Sequence, residues 1–149
     1  MSSVMENLQV KKYEDLLVHN GLKRTGARIQ VLEILSNRNS ATSQPYLETV
    51  VGKEIDRVTL YRILKAFEEK GIIHKVIDNQ GTANYAICSG ACSAHHHDDG
   101  HVHFNCSTCL RVYCLDEVKI PTLKMPKGFE IGQVNLIVSG ICQDCNSSN

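Results

Sequence analysis

In the segment DRVTLYRILKAFEEKG, the apolar positions Leu60, Ile63, Leu64 and Phe67 recur at i, i+3, i+4 and i+7. That spacing lays one continuous stripe along a helix. The segment also carries its own ends, with Asp56 placed to accept from the first free N–H groups and Gly71 placed to leave the helix. Three stretches upstream read the same way. In ENLQVKKYEDLLVHNGL, Leu8, Tyr13, Leu16 and Leu17 fall at roughly helical spacing before Gly21. In TGARIQVLEILSN, Thr25 caps a helix whose inner face is Ile29, Leu32 and Leu35, widened by Val31 and Ile34. In SQPYLETVVG, Ser43 is the N-cap and Gly52 follows the end. The period then changes, and GIIHKVIDNQGTANYAI reads as two strands around an NQG turn.

Short helices followed by a strand hairpin predict a winged helix-turn-helix over residues 1–87. On its last helix Thr59 and Arg62 lie off the buried stripe, with Arg57 and Tyr61 in the same first turns. A helix laid out in this way can present its N-terminal part to a DNA groove. A plain surface helix of a small α+β domain has the same pattern, and the pattern alone leaves both readings open.

From Cys88 onward long helical periodicity ends. Residues 88–101, rich in Ser, Ala, Gly, Asp and His, read as a hinge loop. Residues 102–149 read as a second small domain, and the short β-type runs in this half of the chain are HVHFNC, LRVYCL and FEIGQVNLIVSGIC. The expected class is α+β: a winged helix-turn-helix, then a small α/β domain.

Charge and composition narrow the partners. The formal net charge is zero, with a slight basic excess in residues 1–78 balanced by an acidic excess beyond. Any DNA contact must therefore come from a few well-placed basic groups and not from a global field. No apolar run approaches the roughly 18 residues of a membrane helix, and the N-terminus lacks the basic start and apolar stretch of a secretory signal. The chain reads as cytoplasmic, with no membrane partner. In that reducing setting its seven Cys are metal ligands, reactive thiols or buried small hydrophobes before they are disulfides.

Five His and five Cys crowd into residues 88–114. Cys106 and Cys109 form one CxxC, and Cys142 and Cys145 form another. Two such pairs can set four thiolates around one tetrahedral Zn²⁺, leaving no position for water, so this site is expected to be structural. It would supply the C-terminal half with stability that a small core cannot. The remaining candidates suggest a second site. His101 and His103 flank one residue, so on a strand their rings would share a side. With His74 and Cys88, near the two preceding strands, they make an N,N,N,S set suited to Zn²⁺. Cys92, His95, His96, His97 and Cys114 could substitute for one of these ligands or build another site. A zinc hydrolase or deaminase would require an HExxH, or an HxE with a downstream PCxxC, and the sequence has neither. The chain is therefore expected not to be an enzyme and to have no small-molecule substrate.

The stretches GLKRTGARIQVLEIL, RVTLYRILKAFEEKGII, HVHFNC with its CxxC, and GFEIGQVNLIVSGICQDC, in this order, resemble the ferric uptake regulator (Fur) family of bacterial metal-responsive repressors. The resemblance covers roughly residues 13–146. It implies a homodimer with an N-terminal winged helix and a C-terminal dimerisation domain, which binds palindromic operators of metal uptake genes when its regulatory metal is loaded. It implies that Tyr61 and Arg62 contact DNA, and that Cys106, Cys109, Cys142 and Cys145 are structural zinc ligands. Three departures bear on the metal. NSATSQ carries no His before the third helix, Cys114 stands where an acidic residue is usual, and Val134 stands where a His is common. What remains resembles the zinc uptake regulator branch, whose hinge site would here use His74, Cys88, His101 and His103. The expected regulatory ion is Zn²⁺, with Fe²⁺ or Mn²⁺, a peroxide-responsive iron site, or a thiol redox sensor as alternatives. The prolines in DEVKIPTLKMPKGF leave little room for the helix usual after the first CxxC.

Overall fold

The computed structural model describes residues 2–87, 101–132 and 134–147, with the side chains of Ser2 and His101 excepted. Among these, α1 (Ser2–His19), α2 (Gly26–Ser36), β1 (Thr42–Ser43), α3 (Gln44–Val51), α4 (Arg57–Glu69), β2 (Ile73–Ile77) and β3 (Ala83–Ile87) make the first half. The second half holds β4 (His101–Cys106), β5 (Val112–Lys119), β6 (Ile137–Gly140) and α5 (Gln143–Ser147). Two three-stranded sheets result, ordered β1-β3-β2 and β5-β4-β6.

The caps form where expected. Thr25 accepts from the Arg28 N–H, Ser43 from Tyr46, and Asp56 from Thr59, at 3.3, 3.3 and 2.8 Å. Gly52 and Gly71 leave α3 and α4 at φ of 59° and 72°, which a side chain would resist. Leu60, Ile63, Leu64 and Phe67 of α4 are all buried, packed with Leu17, Leu32, Leu47 and Ile73 into the main core. The Asp56 cap is also electrostatic. Its carboxyl sits below the usual range because the Thr59 N–H and hydroxyl both donate to it, with Arg62 adding attraction. A lowered folded pKa contributes stability above the ordinary carboxylate pKa that is lost as pH falls through the folded value. Asp56→Ala is therefore expected to lower the thermal midpoint at pH 7, and by less below about pH 4. Thermal unfolding of both proteins across that range measures the difference.

The structure differs from the sequence pattern at three places. Leu8 is 64% exposed, because α1 meets the core only from Tyr13 onward. On α2 the fully buried side chains are Val31 and Leu32, with Leu35 beside them, while Ile29 and Ile34 are half-buried at the rim. Among its described residues FEIGQVNLIVSGIC yields β6, where residues 137–140 pair with β4. The described part of residues 120–136 is neither helix nor strand, as Pro121 and Pro126 suggested.

The halves meet along one seam. The Ala41 N–H donates to the Val112 carbonyl at 2.7 Å, and Ala41, Val76 and Val112 form a second, smaller core with Ala86 and Ile137. At the β2–β3 turn, Asn79 Nδ2 donates to Ser139 Oγ at 2.8 Å. Among the described residues no helix is long and apolar enough to cross a membrane.

Candidate metal centres and nucleic-acid interface

The tight connection between β4 and β5 carries Cys106 and Cys109, and the chain leaving β6 carries Cys142 and Cys145 across the first turn of α5. The parallel pairing of β4 with β6 sets Cys106 opposite Gly140, which delivers the second CxxC to the first. All four sulfurs lie within 4.8 Å of one another. Cys109 Sγ and Cys142 Sγ are 3.8 Å apart. A tetrahedron with bonds of about 2.3 Å has edges of about 3.8 Å, so the donors fit Zn²⁺ in size as well as chemistry. Cys106 is fully buried, and its sulfur accepts from the N–H groups of Cys109 and Cys142 at 3.5 and 3.4 Å. Those donors hold its thiol down to about 6. Its neighbour Cys145 is pushed up to about 12, chiefly by its hydrogen bond to Cys142. The five described cysteines form no disulfide.

The turn that makes this knuckle is strained at one residue. Leu110, 55% exposed, has φ 62°, a left-handed conformation that costs an L-residue about 1–2 kcal/mol. Leu110→Gly removes that cost but frees the unfolded chain by about 0.4–1 kcal/mol. The expected result is a net gain of about 0.5 kcal/mol. Urea unfolding of the zinc-loaded proteins measures it.

A second cluster sits on the seam. His74 lies on β2, while His103 and Cys114 are directly opposed on β4 and β5. One ligand atom from each lies within 4.8 Å of the others. His74 Nε2 is 3.1 Å from Cys114 Sγ, and the His74 and His103 rings stand 5.3 Å apart at 51°. Both histidines are buried and Cys114 is half-buried. Two imidazoles and a thiolate form a borderline-soft donor set that fits Zn²⁺ better than Fe²⁺ or Mn²⁺. Cys114, only a spare candidate in the sequence, thus joins His74 and His103. Cys88, Cys92, His95, His96 and His97 lie outside the described residues. The His101 side chain is not described, and the β4–β5 register shifts between His101 and Val102. The skipped residues, 116–118, belong to β5, and β4 itself runs on without an extra residue.

The opposite face of α4 is exposed. Val58, Tyr61, Arg62 and Lys65 follow one another at i, i+3, i+4 and i+7, with Val58 59% and Tyr61 55% exposed. Arg57 reaches the same edge and pairs with Glu48 at 3.1 Å. The Thr59 hydroxyl donates to Asp56 at 2.9 Å and so belongs to the cap. Val58 shares this exposed face although the sequence pattern did not single it out. An apolar residue off the buried stripe in a first turn was the available signal, and such a group suits contact with a thymine methyl.

Comparison with known proteins agrees with this architecture. The model of the ferric uptake regulator family matches residues 19–139. A ferric uptake regulation protein of Neisseria meningitidis is 30% identical over 139 residues, covering 88% of this chain and 91% of its own. Its counterpart in Staphylococcus aureus is 30% identical over 134 residues, covering 87% and 93%. Among solved structures, a zinc uptake regulator complexed with zinc and DNA has a TM-score of 0.64 at 19% identity, with 93% of each chain covered. A zinc-bound manganese uptake regulator has a TM-score of 0.57 at 20% identity, covering 87% and 98%. The family match takes in the strands of the first sheet and the first CxxC pair, Cys106 and Cys109, and ends before Cys142. The chain belongs to the ferric uptake regulator family of metal-responsive transcriptional regulators.

Proposed function

We propose that this protein is a zinc-responsive repressor that binds palindromic operator DNA as a homodimer. Cys106, Cys109, Cys142 and Cys145 hold a permanent structural Zn²⁺. His74, His103 and Cys114 are the core of the regulatory site, with Cys88 and His101 as further ligands by family resemblance. The observation that carries the reading is the position of this second cluster: one ligand comes from the hairpin that follows α4, and two come from the other sheet. When bound, the ion supplies a coordination link across the seam.

The chain's own residues convert that link into DNA affinity. β2 follows α4 through a short turn, so fixing His74 against β4 and β5 fixes the direction in which Tyr61 and Arg62 face. In a dimer that direction sets the spacing of two recognition helices against successive major-groove faces. The response can be no larger than zinc's preference for this arrangement over an open one. Exposed Val118, Leu123, Met125, Phe129 and Ile131 in the second half supply an apolar surface for a second copy of the chain.

Selection from a random duplex library, with zinc and with a chelator, tests the reading. Zinc-dependent enrichment of one palindrome is expected, and Arg62→Ala should abolish it without changing zinc content. Equal enrichment under chelation, or enrichment with Fe²⁺ or Mn²⁺ alone, would overturn the zinc assignment. A thiol-redox regulator would use the same Cys114, and its signature is oxidant-driven DNA release with zinc retained.

A further inference from the structure

We infer that Tyr113 is a positioning residue for the four-cysteine site, donating a hydrogen bond to the Cys142 thiolate that keeps this zinc in place while the ion at the seam exchanges. The inference rests on the reading that the four cysteines hold zinc. Tyr113 and Cys114 are neighbours on β5, and side chains on a strand alternate between faces. Cys114 turns toward His74 at the seam. Tyr113 turns the other way, and its hydroxyl donates to Cys142 Sγ at 3.6 Å. One strand therefore serves both metal centres with consecutive residues.

The site gives such a donor something to do. Cys142, itself only 7% exposed, lies at the wall of an open cleft of about 470 Å³ with Tyr113, Phe104, Leu115 and Ile141, so small solutes reach its edge. A metal-bound thiolate that faces such a cleft remains a nucleophile. A hydrogen bond from a phenol draws charge from the sulfur and fixes its direction, as groups one shell out from a metal do. Arg111, exposed on the same strand approach, is drawn to the Tyr113 phenol by its charge and so helps to orient it. A fold that carries two zinc sites needs one of them not to leak, and the hydroxyl distinguishes Tyr113 from an apolar residue that would merely fill the cleft.

Hydrogen peroxide is the probe. The Cys142 sulfur attacks one peroxide oxygen, the S–O bond forms, the O–O bond breaks and hydroxide leaves to be protonated to water. The thiolate becomes a sulfenic acid and is lost as a ligand. Wild type and Tyr113→Phe, loaded with zinc and cleared of the seam ion by a weak chelator, are mixed with peroxide and a chromogenic chelator, and trapped sulfenic acid is mapped by mass spectrometry. Tyr113→Phe keeps the ring, so one zinc should bind to both proteins. Release should be about 5-fold faster in the variant, the scale of one lost hydrogen bond, with added oxidation at Cys142 above the other three cysteines. Equal release rates, or oxidation raised evenly at all four cysteines, would overturn the inference. Should Tyr113→Phe not fold, Arg111→Gln decides in its place: faster release with Cys142-selective oxidation supports the role, and unchanged release overturns it. Wild type that holds no zinc after the weak chelator would remove the structural-site reading itself, and the inference with it.

Discussion

Cys106→Ser is expected to unfold the second half of the protein while leaving the winged helix intact. Cys106 is fully buried at the end of β4, and its sulfur organises the knuckle by accepting two backbone N–H groups. A serine hydroxyl stays protonated at neutral pH and does not replace a thiolate on zinc. Binding of a structural zinc contributes on the order of 10–16 kcal/mol in small metal-dependent folds, comparable with the whole stability of a domain at about 5–15 kcal/mol. The second half has little to set against that loss. Among the described residues its shared core has Ala41, Val76 and Val112 as buried members, two of them from the first half, and Val102 of β4 is buried beside its own sheet. The first half keeps a core built from α1 to α4, with Leu17, Leu32, Leu47, Leu64 and Phe67 inside it. Limited proteolysis with mass spectrometry should find a resistant fragment ending near residue 87 and rapid cutting beyond residue 101. A variant that keeps both zinc and protease resistance past residue 101 would show that the four cysteines are not the clip.

Cys114→Ser is expected to remove one zinc and spare the other. With wild type equilibrated in a weak zinc buffer, elemental mass spectrometry should return about two ions per protomer, and the variant about one. Loss of a group merely adjacent to a metal ligand costs about 10–100-fold in affinity, so loss of the thiolate itself should exceed about 100-fold. His103→Ala should behave alike, because it stands opposite Cys114 in the ladder and shares the same small volume. Cys114→Asp is the more telling companion. A carboxylate restores a charged ligand of harder character and should shift preference from Zn²⁺ toward Fe²⁺ or Mn²⁺. If Cys114→Ser retains two tightly bound zinc ions while Cys88→Ser retains one, the regulatory ion belongs to the hinge set without Cys114.

Much of the first half was legible from local pattern, for reasons visible in particular residues. The stripe Leu60, Ile63, Leu64 and Phe67 is buried as spaced, and Thr25, Ser43 and Asp56 cap as their positions implied. These features depend on helix period and on bonds three residues long, which the chain carries locally. The two CxxC pairs were equally plain, because a metal reduces the set of useful Cys spacings to a few. Local pattern misled where burial depends on a neighbour. Leu8 satisfies helical spacing but projects past the core, and FEIGQVNLIVSGIC has strand composition while, among its described residues, 137–140 pair with β4.

Periodicity and spacing thus sufficed for the helical elements, the strand pair after them and the two CxxC pairs, while the family came from resemblance along the chain. The company kept by Cys114 was decided only in three dimensions. Its spacing from His74 and His103 along the chain says nothing of contact, since β2 belongs to one sheet and β5 to another. The antiparallel register of β4 with β5 sets His103 against Cys114, and the packing of Val76 on Val112 brings His74 to them. The same alternation that points Cys114 to the seam points Tyr113 to Cys142. Ligand identity is local chemistry, whereas ligand assembly is a property of strand register and sheet packing, and both of those are long-range.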